Sequence, residues 1–318
     1  MPRETWDVVI VGAGPAGLNA ALILGRAARS VLLCDRGTPR SWASVAMYGF
    51  LTRDGMPPDV FRRIAREELS RYPKVSFCNT EVSQAARDGS RGFRVTLGAK
   101  RRVHCRKLLI ATGVLDVLPE IPDIEQYFGI SVFQCPYCDG WEFRDRPLAV
   151  YGKGSRGFEM ARALTCWSND LVLCTDGPSR LSARQRAELR RNRIDVHQKP
   201  IARLLGKEGH LRALEFGDGS ELPRDGMFFD MPSRAQSKLT ESLGCRYERH
   251  GGIKCGKYEA TSVPGVFVAG NIIRDVQLAI VAAAEGARAA FGINRALTRE
   301  DFAKRAHVRR RVEHPLLR

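Results

Sequence analysis

The chain has 318 residues, of which 44% are hydrophobic and 27% are charged, and its formal net charge is +16. This length exceeds one ordinary domain and the composition is that of a globular protein, which excludes a disordered or fibrous chain and favours two domains. Arginines are spread through nearly every segment without a nucleic-acid-binding motif, so the charge does not predict a nucleic-acid partner. The densest basic run, Arg305 to Arg311, is interpreted as a solvated terminal helix or arm.

The N-terminal residues have no pattern typical of a secretory signal, because Met1 to Trp6 leads straight into a strand pattern. The uncharged stretch Val8 to Gly25 is interrupted by glycines and a proline, so we predict no membrane span. The cysteine count of nine is odd, which argues against a structural disulfide framework. Together these features predict a cytoplasmic protein in which most cysteines are free thiols that serve packing.

The first predicted elements are a strand, a glycine-rich turn and a helix. Asp7 to Val11 is an apolar β-branched run typical of a buried parallel strand, and a helix is predicted over Leu18 to Ala28. The turn between them has the spacing G-x-G-x-x-G, which allows close approach of a pyrophosphate to the backbone and points helix N–H groups at the phosphates. Its residues are Gly12, Ala13, Gly14, Pro15, Ala16 and Gly17. A second strand, Val31 to Asp35, ends in an acid that would accept hydrogen bonds from ribose hydroxyls.

Four further elements are predicted before the middle of the chain. Asp59 to Tyr72 has the pattern of an amphipathic helix. Val75 to Val82 and Phe93 to Val103 are predicted as antiparallel strands, and Lys107 to Gly113 as a parallel strand that ends in a glycine turn.

The segment Cys135-Pro136-Tyr137-Cys138-Asp139-Gly140 carries the pattern most suggestive of chemistry. Two thiols separated by two residues can close a small disulfide loop, and Asp139 is placed to move a proton to or from a leaving thiolate. The same spacing suits zinc, but zinc normally needs four ligands and the sequence has no second pair of matching spacing. A third interpretation is that the two cysteines are structural and lie near each other by chance. The spacing and Asp139 favour redox use.

A second strand, glycine turn and helix follow the cysteine pair. The strand and turn cover Leu148 to Gly157, with glycines at Gly152, Gly154 and Gly157, and a helix is predicted to Cys166. A strand over Leu171 to Cys174 comes next. Near the end, Val263 to Asn271 reads as a turn and strand before an apolar helix over Val276 to Leu297. Two nucleotide-binding units with a dithiol between them suggest electron transfer between a flavin, a disulfide and a nicotinamide.

The order of these motifs resembles the low-molecular-weight thioredoxin reductase family across almost the whole chain. The resemblance implies an α/β fold with two Rossmann-like (three-layer ββα) nucleotide-binding domains, the second inserted into the first. An FAD-binding domain would cover residues 1–115 and 247–318, and residues 116–246 would form the inserted NAD(P)-like domain with the dithiol. It also implies a homodimer that acts on a thioredoxin-like protein or a small disulfide. The run Cys-Pro-Tyr-Cys-Asp-Gly-Trp-Glu is similar to that of dithiol oxidases on the same scaffold.

The resemblance implies a role for each motif residue. Cys138 would face the flavin, Cys135 would exchange with the substrate and Asp139 would move the proton. FAD would be held by Gly12, Gly14, Pro15, Ala16, Gly17, Asp35, Thr112, Gly113, Gly270, Asn271 and Gln277. The nicotinamide nucleotide would be held by Gly152, Gly154, Gly157 and Asp176.

Two positions depart from the family pattern. Asn271 stands where the family has aspartate, although its amide oxygen still accepts one bond from a ribityl hydroxyl. Thr175-Asp176-Gly177 stands where NADPH-using members have a His-Arg-Arg pattern. Asp176 would repel a 2′-phosphate but accept from a free 2′-hydroxyl, so NADPH is disfavoured relative to NADH. Three nearby arginines keep NADPH open as an alternative: Arg180, Arg184 and Arg186.

Three functions therefore remain open from the sequence. A disulfide reductase needs a productive nicotinamide site, and a dithiol oxidase needs a flavin that reacts with oxygen and room for a small dithiol. A flavin-bearing redox sensor needs only the folds, and the intact dithiol beside Asp139 argues against it.

Overall fold

The computed structural model describes residues 4–89, 92–249, 251–274 and 276–313, with side chains through Arg305. It separates into two compact units. The first comprises the described residues of Met1–Pro39, Asp59–Val114 and Ala235–Arg318, and the second comprises Arg40–Pro58 and Leu115–Arg234. The two short strands β7 (Val114–Leu115) and β16 (Arg234–Ala235) lie where the chain passes between the units.

The unit boundaries differ from the predicted ones in two segments and at Leu115, which belongs to the second unit. Residues 40–58 belong to the second unit, where the Arg40 Nε donates to the Asp116 Oδ2 at 2.7 Å. Residues 235–246 belong to the first unit, because Leu239 and Cys245 are buried in its core. For both segments, the unit to which they belong is decided by contacts with residues far away in the sequence.

The first unit is built on a seven-stranded sheet with the order β3-β2-β1-β6-β5-β4, in which β17 also pairs with β6. The strands are β1 (Thr5–Val11), β2 (Val31–Cys34), β3 (Val75–Cys78), β4 (Val82–Arg87), β5 (Phe93–Leu97), β6 (Arg101–Ile110) and β17 (Val266–Val268). The helices are α1 (Pro15–Arg26), α2 (Pro58–Leu69), α6 (Leu239–Ser242) and α7 (Ala279–Glu313).

Alternating side chains of β1 fill two cores on opposite faces of this sheet. Val8 and Ile10 pack with α1 and α7, whereas Val9 and Val11 pack with the strands and with Leu239 on the other face. Successive side chains of a strand point to opposite faces, so a strand apolar at every position must be covered on both. The continuous apolar run predicted as a buried parallel strand is therefore buried on both faces of the sheet.

The structure corrects the prediction for Val75 to Val82. Val75–Cys78 forms β3, which pairs parallel to β2, and the antiparallel strands are β4, β5 and β6. Lys107 to Ile110, predicted as a separate parallel strand, is the end of the long strand β6 and pairs parallel to β1. One continuous strand therefore takes part in both parallel and antiparallel pairing.

The last helix, α7, begins three residues later and ends sixteen residues later than the predicted helix over Val276 to Leu297. Its later part is held by ion pairs, because the Arg106 Nη2 lies 2.7 Å from the Asp301 Oδ1 and the Arg29 Nη1 lies 2.6 Å from the Asp301 Oδ2. The basic run predicted as a helix or arm falls in this helix, and its side chains beyond Arg305 lie outside the described residues.

The second unit contains a five-stranded parallel sheet with the order β11-β10-β9-β15-β8 and a three-stranded antiparallel sheet, β12-β13-β14. The strands are β8 (Val132–Phe133), β9 (Leu148–Tyr151), β10 (Leu171–Cys174), β11 (Asp195–His197), β12 (Ile201–Lys207), β13 (His210–Phe216), β14 (Glu221–Pro223) and β15 (Gly226–Phe229). The helices are α3 (Pro136–Asp139), α4 (Gly154–Leu164) and α5 (Ala183–Arg191). In the part of the chain that the structure describes, no helix combines the length and the apolar character needed to cross a membrane.

Candidate active site

The first glycine turn connects β1 to α1 with very close backbone contacts. A Cβ at Gly12 would lie 2.4 Å from the Ala111 carbonyl oxygen, and Gly12 has a φ of +104°. A Cβ at Gly17 would lie 1.9 Å from the Gly12 carbonyl oxygen. Neither position has room for a side chain, which is the physical reason for glycine at both. Pro15 and Ala16 begin α1, and the N-cap residue Gly14 has no side chain, so no cap side chain bonds the first N–H groups of the helix.

The residues predicted to hold FAD come together at one edge of the first sheet. Gly12 follows β1, Asp35 follows β2, Thr112 follows β6 and Gly270 follows β17. Because these strands are parallel, the residues after their carboxyl ends meet at the same edge. Gly113, Asn271 and Gln277 belong to the same turns or to the segments that follow them.

Two features of this edge fit a bound dinucleotide. The Thr112 Oγ1 is shielded from solvent and, among the described residues, has no hydrogen-bond partner, so a polar group of a ligand would satisfy it. No described atom lies within 4 Å of a Cβ built on Gly14, so the space beside the helix N-terminus is open. FAD would supply two-electron transfer when bound, and the turn at Gly12 to Gly17 would hold its pyrophosphate.

Asp35 has partners that the sequence analysis did not identify. Its Oδ2 lies 3.1 Å from the Arg62 Nη2 and 3.0 Å from the Arg66 Nη2, both on α2. The Gly37 N–H donates to the Oδ1 at 3.3 Å. The two arginines are four residues apart on a predicted amphipathic helix, so their side chains lie on the same face. This spacing is the only sequence signal that both could contact one carboxylate. The two arginines hold the Asp35 carboxylate in place, and we expect this carboxylate to accept hydrogen bonds from the ribose hydroxyls.

We predict that Gly14→Ala folds normally but loses flavin. Gly14 has a φ of −77° and open space around it, so alanine fits the free protein, yet the added methyl group would occupy the space expected for the pyrophosphate. The wild-type protein should be yellow and release noncovalent FAD on denaturation. Gly256→Ala is the matched control, because Gly256 has a φ of −105° and equally open surroundings. Release of FMN, or full FAD content in Gly14→Ala, would contradict the prediction.

The second glycine turn has a similar arrangement in the second unit. Gly152 follows β9, Gly154 begins α4 with a φ of +57°, and a Cβ at Gly157 would lie 2.6 Å from the Gly152 carbonyl carbon and oxygen. Asp176 follows β10, the neighbouring parallel strand. The turn and Asp176 therefore lie at the same edge of this sheet, as the turn and Asp35 do in the first unit.

Asp176 has two partners beside the second turn. The Tyr151 hydroxyl donates to the Asp176 Oδ2 at 3.2 Å, and the Lys153 Nζ lies 3.9 Å from the same oxygen. Burial and Asp176 together raise the pKa of Tyr151 to about 12. The backbone at Asp176 is left-handed, with a φ of +45°. The side chains of three arginines that follow in sequence are exposed: Arg180, Arg184 and Arg186.

Cys135 and Cys138 form a disulfide at the start of the short helix α3. Cys135 caps this helix, and its Sγ accepts a hydrogen bond from the Cys138 N–H at 3.1 Å. Pro136 occupies the first helical position, where its missing N–H costs nothing. The same N–H would stabilise negative charge on the Cys135 sulfur once the disulfide opens. The geometry therefore favours Cys135 as the thiolate that leaves or attacks.

Asp139, directly after Cys138, lies in a cluster of acidic groups. Burial raises the pKa of Asp139 to about 7, and the Glu142 carboxylate adds to the rise. Burial, Glu142, Asp139 and Asp54 raise the pKa of Tyr48 as well. The Glu142 Oε2 is shielded and has no hydrogen-bond partner among the described residues. Asp139 can therefore hold a proton near neutral pH, which a donor to a leaving thiolate requires.

We predict that disulfide turnover decreases as the pH rises above about 7, because Asp139 then loses the proton that it would donate. Asp139→Asn should lower the rate by roughly 10²-fold or more. Glu142→Gln removes the charge that, together with burial, raises the pKa of Asp139, so the alkaline limb of the pH profile should move to lower pH. Glu159→Gln on α4 is the control, because Glu159 is exposed. An unmoved alkaline limb in Glu142→Gln would contradict this role of the cluster.

Two aromatic side chains beside the disulfide are exposed. Tyr137 is 75% exposed and packs edge-on against Trp167, with ring centroids 5.5 Å apart. Trp141 is 63% exposed, and the Arg144 guanidinium lies 4.1 Å from its ring centroid. Exposed rings next to a reactive group are typical of a surface that contacts a substrate or a partner protein.

Comparisons with known proteins agree with this arrangement. A family model described as pyridine nucleotide-disulphide oxidoreductase matches residues 6–286. A probable thioredoxin reductase of Arthroderma benhamiae is 31% identical over 305 residues, which cover 86% of this chain and 76% of the relative. The crystal structure of HlmI is 35% identical with a TM-score of 0.91, covering 98% of both chains. That of a putative thioredoxin reductase TrxB from Bacillus anthracis is 34% identical with a TM-score of 0.89, covering 93% of this chain and 99% of the other. The similarity therefore extends through both units.

Proposed function

This chain belongs to the pyridine nucleotide-disulphide oxidoreductase family and is a thioredoxin reductase-like flavoprotein oxidoreductase, and we propose that it passes electrons between FAD and the Cys135–Cys138 disulfide. The electrons then go to a thioredoxin-like protein or a small disulfide. The observation that carries the proposal is the disulfide with a partly buried carboxyl group directly after it, whose pKa is raised to about 7. A thiol pair that serves packing alone needs no such proton donor.

In the proposed reaction, a thiolate at Cys135 attacks the substrate disulfide, and one substrate sulfur leaves as a thiolate that takes the proton held by Asp139. The Cys138 thiol then passes its proton to the Asp139 carboxylate and attacks the Cys135 sulfur of the mixed disulfide. The second substrate sulfur leaves as a thiolate and takes this proton, and the Cys135–Cys138 disulfide is restored. Two electrons have then passed from the protein dithiol to the substrate. The Cys138 N–H stabilises the Cys135 thiolate between turnovers.

The electron donor proposed is a nicotinamide nucleotide held by Gly152, Gly154 and Gly157, with NADH preferred over NADPH. Asp176 supports this preference, because its carboxylate would accept from a free ribose hydroxyl and repel a 2′-phosphate. Lys153, 3.9 Å from that carboxylate, offsets part of the repulsion. The exposed arginines that follow would supply the opposite preference if they turned towards the phosphate.

A dithiol oxidase is the second candidate function. The exposed rings of Tyr137 and Trp141 favour it, since two aromatic faces beside the disulfide suit a small apolar dithiol. In this direction the substrate dithiol reduces the Cys135–Cys138 disulfide, and oxygen takes the two electrons and two protons to give hydrogen peroxide.

Anaerobic mixing with NADH or NADPH tests the proposal. Rapid bleaching of the flavin by NADH, followed by reduction of a disulfide substrate, is the expected result. Slow bleaching by both nucleotides, together with peroxide formed from a dithiol in air, would instead establish the oxidase. A flavin that reacts in neither assay would overturn both functions.

We also expect a homodimer, and α7 offers a surface for it. Phe291 and Phe302 are 55% and 76% exposed, and their spacing of eleven residues puts them on one face of the helix. Two exposed phenylalanines in line are typical of a surface that another subunit covers. Light scattering on the wild-type protein should give twice the 35.4 kDa chain mass, and Phe291→Glu with Phe302→Glu should give the chain mass. A monomeric wild-type protein would contradict this expectation.

A further inference from the structure

A carboxylate of the last helix fixes the turn at Gly270. The Gly270 N–H donates to the Glu285 Oε2 at 2.6 Å. Gly270 has a φ of +81°, and a Cβ built on it would lie 3.1 Å from the Ala16 Cβ and 3.7 Å from the Ala282 Cβ. The turn therefore lies between the first glycine turn and α7. Glu285 holds it from the α7 side.

The position of Glu285 depends on a very close approach of α7 to α1. A Cβ at Gly286 would lie 2.0 Å from the Ala16 carbonyl oxygen, so a glycine is required where the helices meet. The Asn19 Nδ2 donates to the Ala283 carbonyl oxygen at 2.7 Å and ties the helices together there. Because Gly286 allows this contact, the preceding residue reaches the Gly270 backbone.

The charge of Glu285 also acts on a second carboxyl group, that of Glu259. The Glu259 side chain is 5% exposed, and its Oε1 lies 3.1 Å from the Arg288 Nε. Its Oε2 is shielded and lacks a hydrogen-bond partner within the described residues. Burial raises the pKa of Glu259 to about 7, Arg288 opposes the rise and Glu285 adds to it. Glu259 is therefore held by Arg288, and the carboxyl that accepts from the Gly270 N–H is that of Glu285.

We propose that Glu285 is a cofactor-positioning residue, which holds the Gly270 peptide so that Asn271 presents its side chain to FAD. The inference rests on the proposed FAD site. Glycine at positive φ has wide conformational freedom, so the direction of the Asn271 side chain depends on what holds the preceding peptide. Glu285 supplies this hydrogen bond from a helix that is itself packed on the first glycine turn.

The test compares FAD binding with folding in the holoenzyme. Glu285→Ala should bind FAD about tenfold more weakly, as expected for the loss of the one hydrogen bond that holds the Gly270 peptide. Glu285→Gln should stay within about threefold of the wild type, because its amide oxygen can still accept from the Gly270 N–H. Arg295→Ala, an exposed position on the same helix, is the control. The two readouts are the temperature of flavin release, from flavin fluorescence, and the temperature of protein unfolding, from tryptophan fluorescence.

A positioning role predicts that Glu285→Ala lowers the flavin-release temperature more than the unfolding temperature, and that Glu285→Gln restores it. If both temperatures fall together and the FAD dissociation constant is unchanged, Glu285 serves folding alone and the inference is overturned. Equal FAD binding in all variants overturns it as well. A wild-type protein that binds no FAD would overturn the proposed function and this inference together, so the two failures are distinguishable.

Discussion

Cys138→Ser is expected to abolish disulfide turnover while FAD stays bound and reducible by dithionite. Serine cannot close the bond with Cys135, and the residues proposed to hold FAD lie in the other compact unit. The loss should reach at least roughly 10³-fold, because a nucleophile has been removed from a step that requires a thiolate. The measurement is turnover of a disulfide substrate together with the flavin spectrum.

Cys135→Ser should abolish turnover as well, but the thiol that remains should react with an alkylating reagent at a different rate in the two variants. The thiol left in Cys138→Ser is Cys135, which caps α3 and has the Cys138 N–H beside its sulfur. It should react faster with an alkylating reagent than Cys138 does in Cys135→Ser. The control is Cys166→Ser, since Cys166 is an exposed free thiol elsewhere in the second unit. Wild-type turnover in either active-site variant would mean that the chemistry lies elsewhere.

Asp176→Asn is expected to raise the use of NADPH relative to NADH by roughly tenfold. A carboxylate within a few ångström of a 2′-phosphate costs about 1 to 4 kcal/mol at a surface-like dielectric, which corresponds to roughly ten-fold to several hundred-fold in binding. We expect the lower end of this range, because the Lys153 Nζ lies 3.9 Å from the Asp176 Oδ2 and its positive charge offsets part of the repulsion. Asparagine is preferred to arginine for this test because residue 176 has a φ of +45°, and asparagine tolerates that conformation.

The ratio of kcat/KM for the two nucleotides measures this effect. Asp195→Asn is the matched control, because Asp195 is an exposed aspartate on β11 in the same sheet. If the ratio of kcat/KM is unchanged in Asp176→Asn, Asp176 does not influence the choice between the two nucleotides. Rapid flavin reduction by NADPH in the wild-type protein would mean that Arg180, Arg184 or Arg186 binds the phosphate, contrary to the preference inferred from Asp176.

The sequence by itself determined the elements whose signals are local. The strand Leu171 to Cys174 was predicted with the bounds that the structure has, and both glycine turns follow strands and lead into helices as expected. The Cys135 to Cys138 spacing also predicted that these two thiols could close a disulfide, and the structure has that bond. In each case the physical requirement lies within a few residues: an apolar strand, a turn too tight for a side chain, or two thiols within reach.

Only the tertiary structure decided the partners that surround these motifs. Arg62 and Arg66 meet Asp35 because α2 packs near the end of β2. Asp139 influences the pKa of Tyr48 because residues 40–58 belong to the second unit. The parallel pairing of Val75–Cys78 was likewise missed, since strand direction depends on the neighbour that a strand finds. Burial within the second unit raises the pKa of Asp139 to about 7, and the nearby Glu142 carboxylate adds to the rise. These properties arise from contacts between residues far apart in the chain, and no local pattern encodes such contacts.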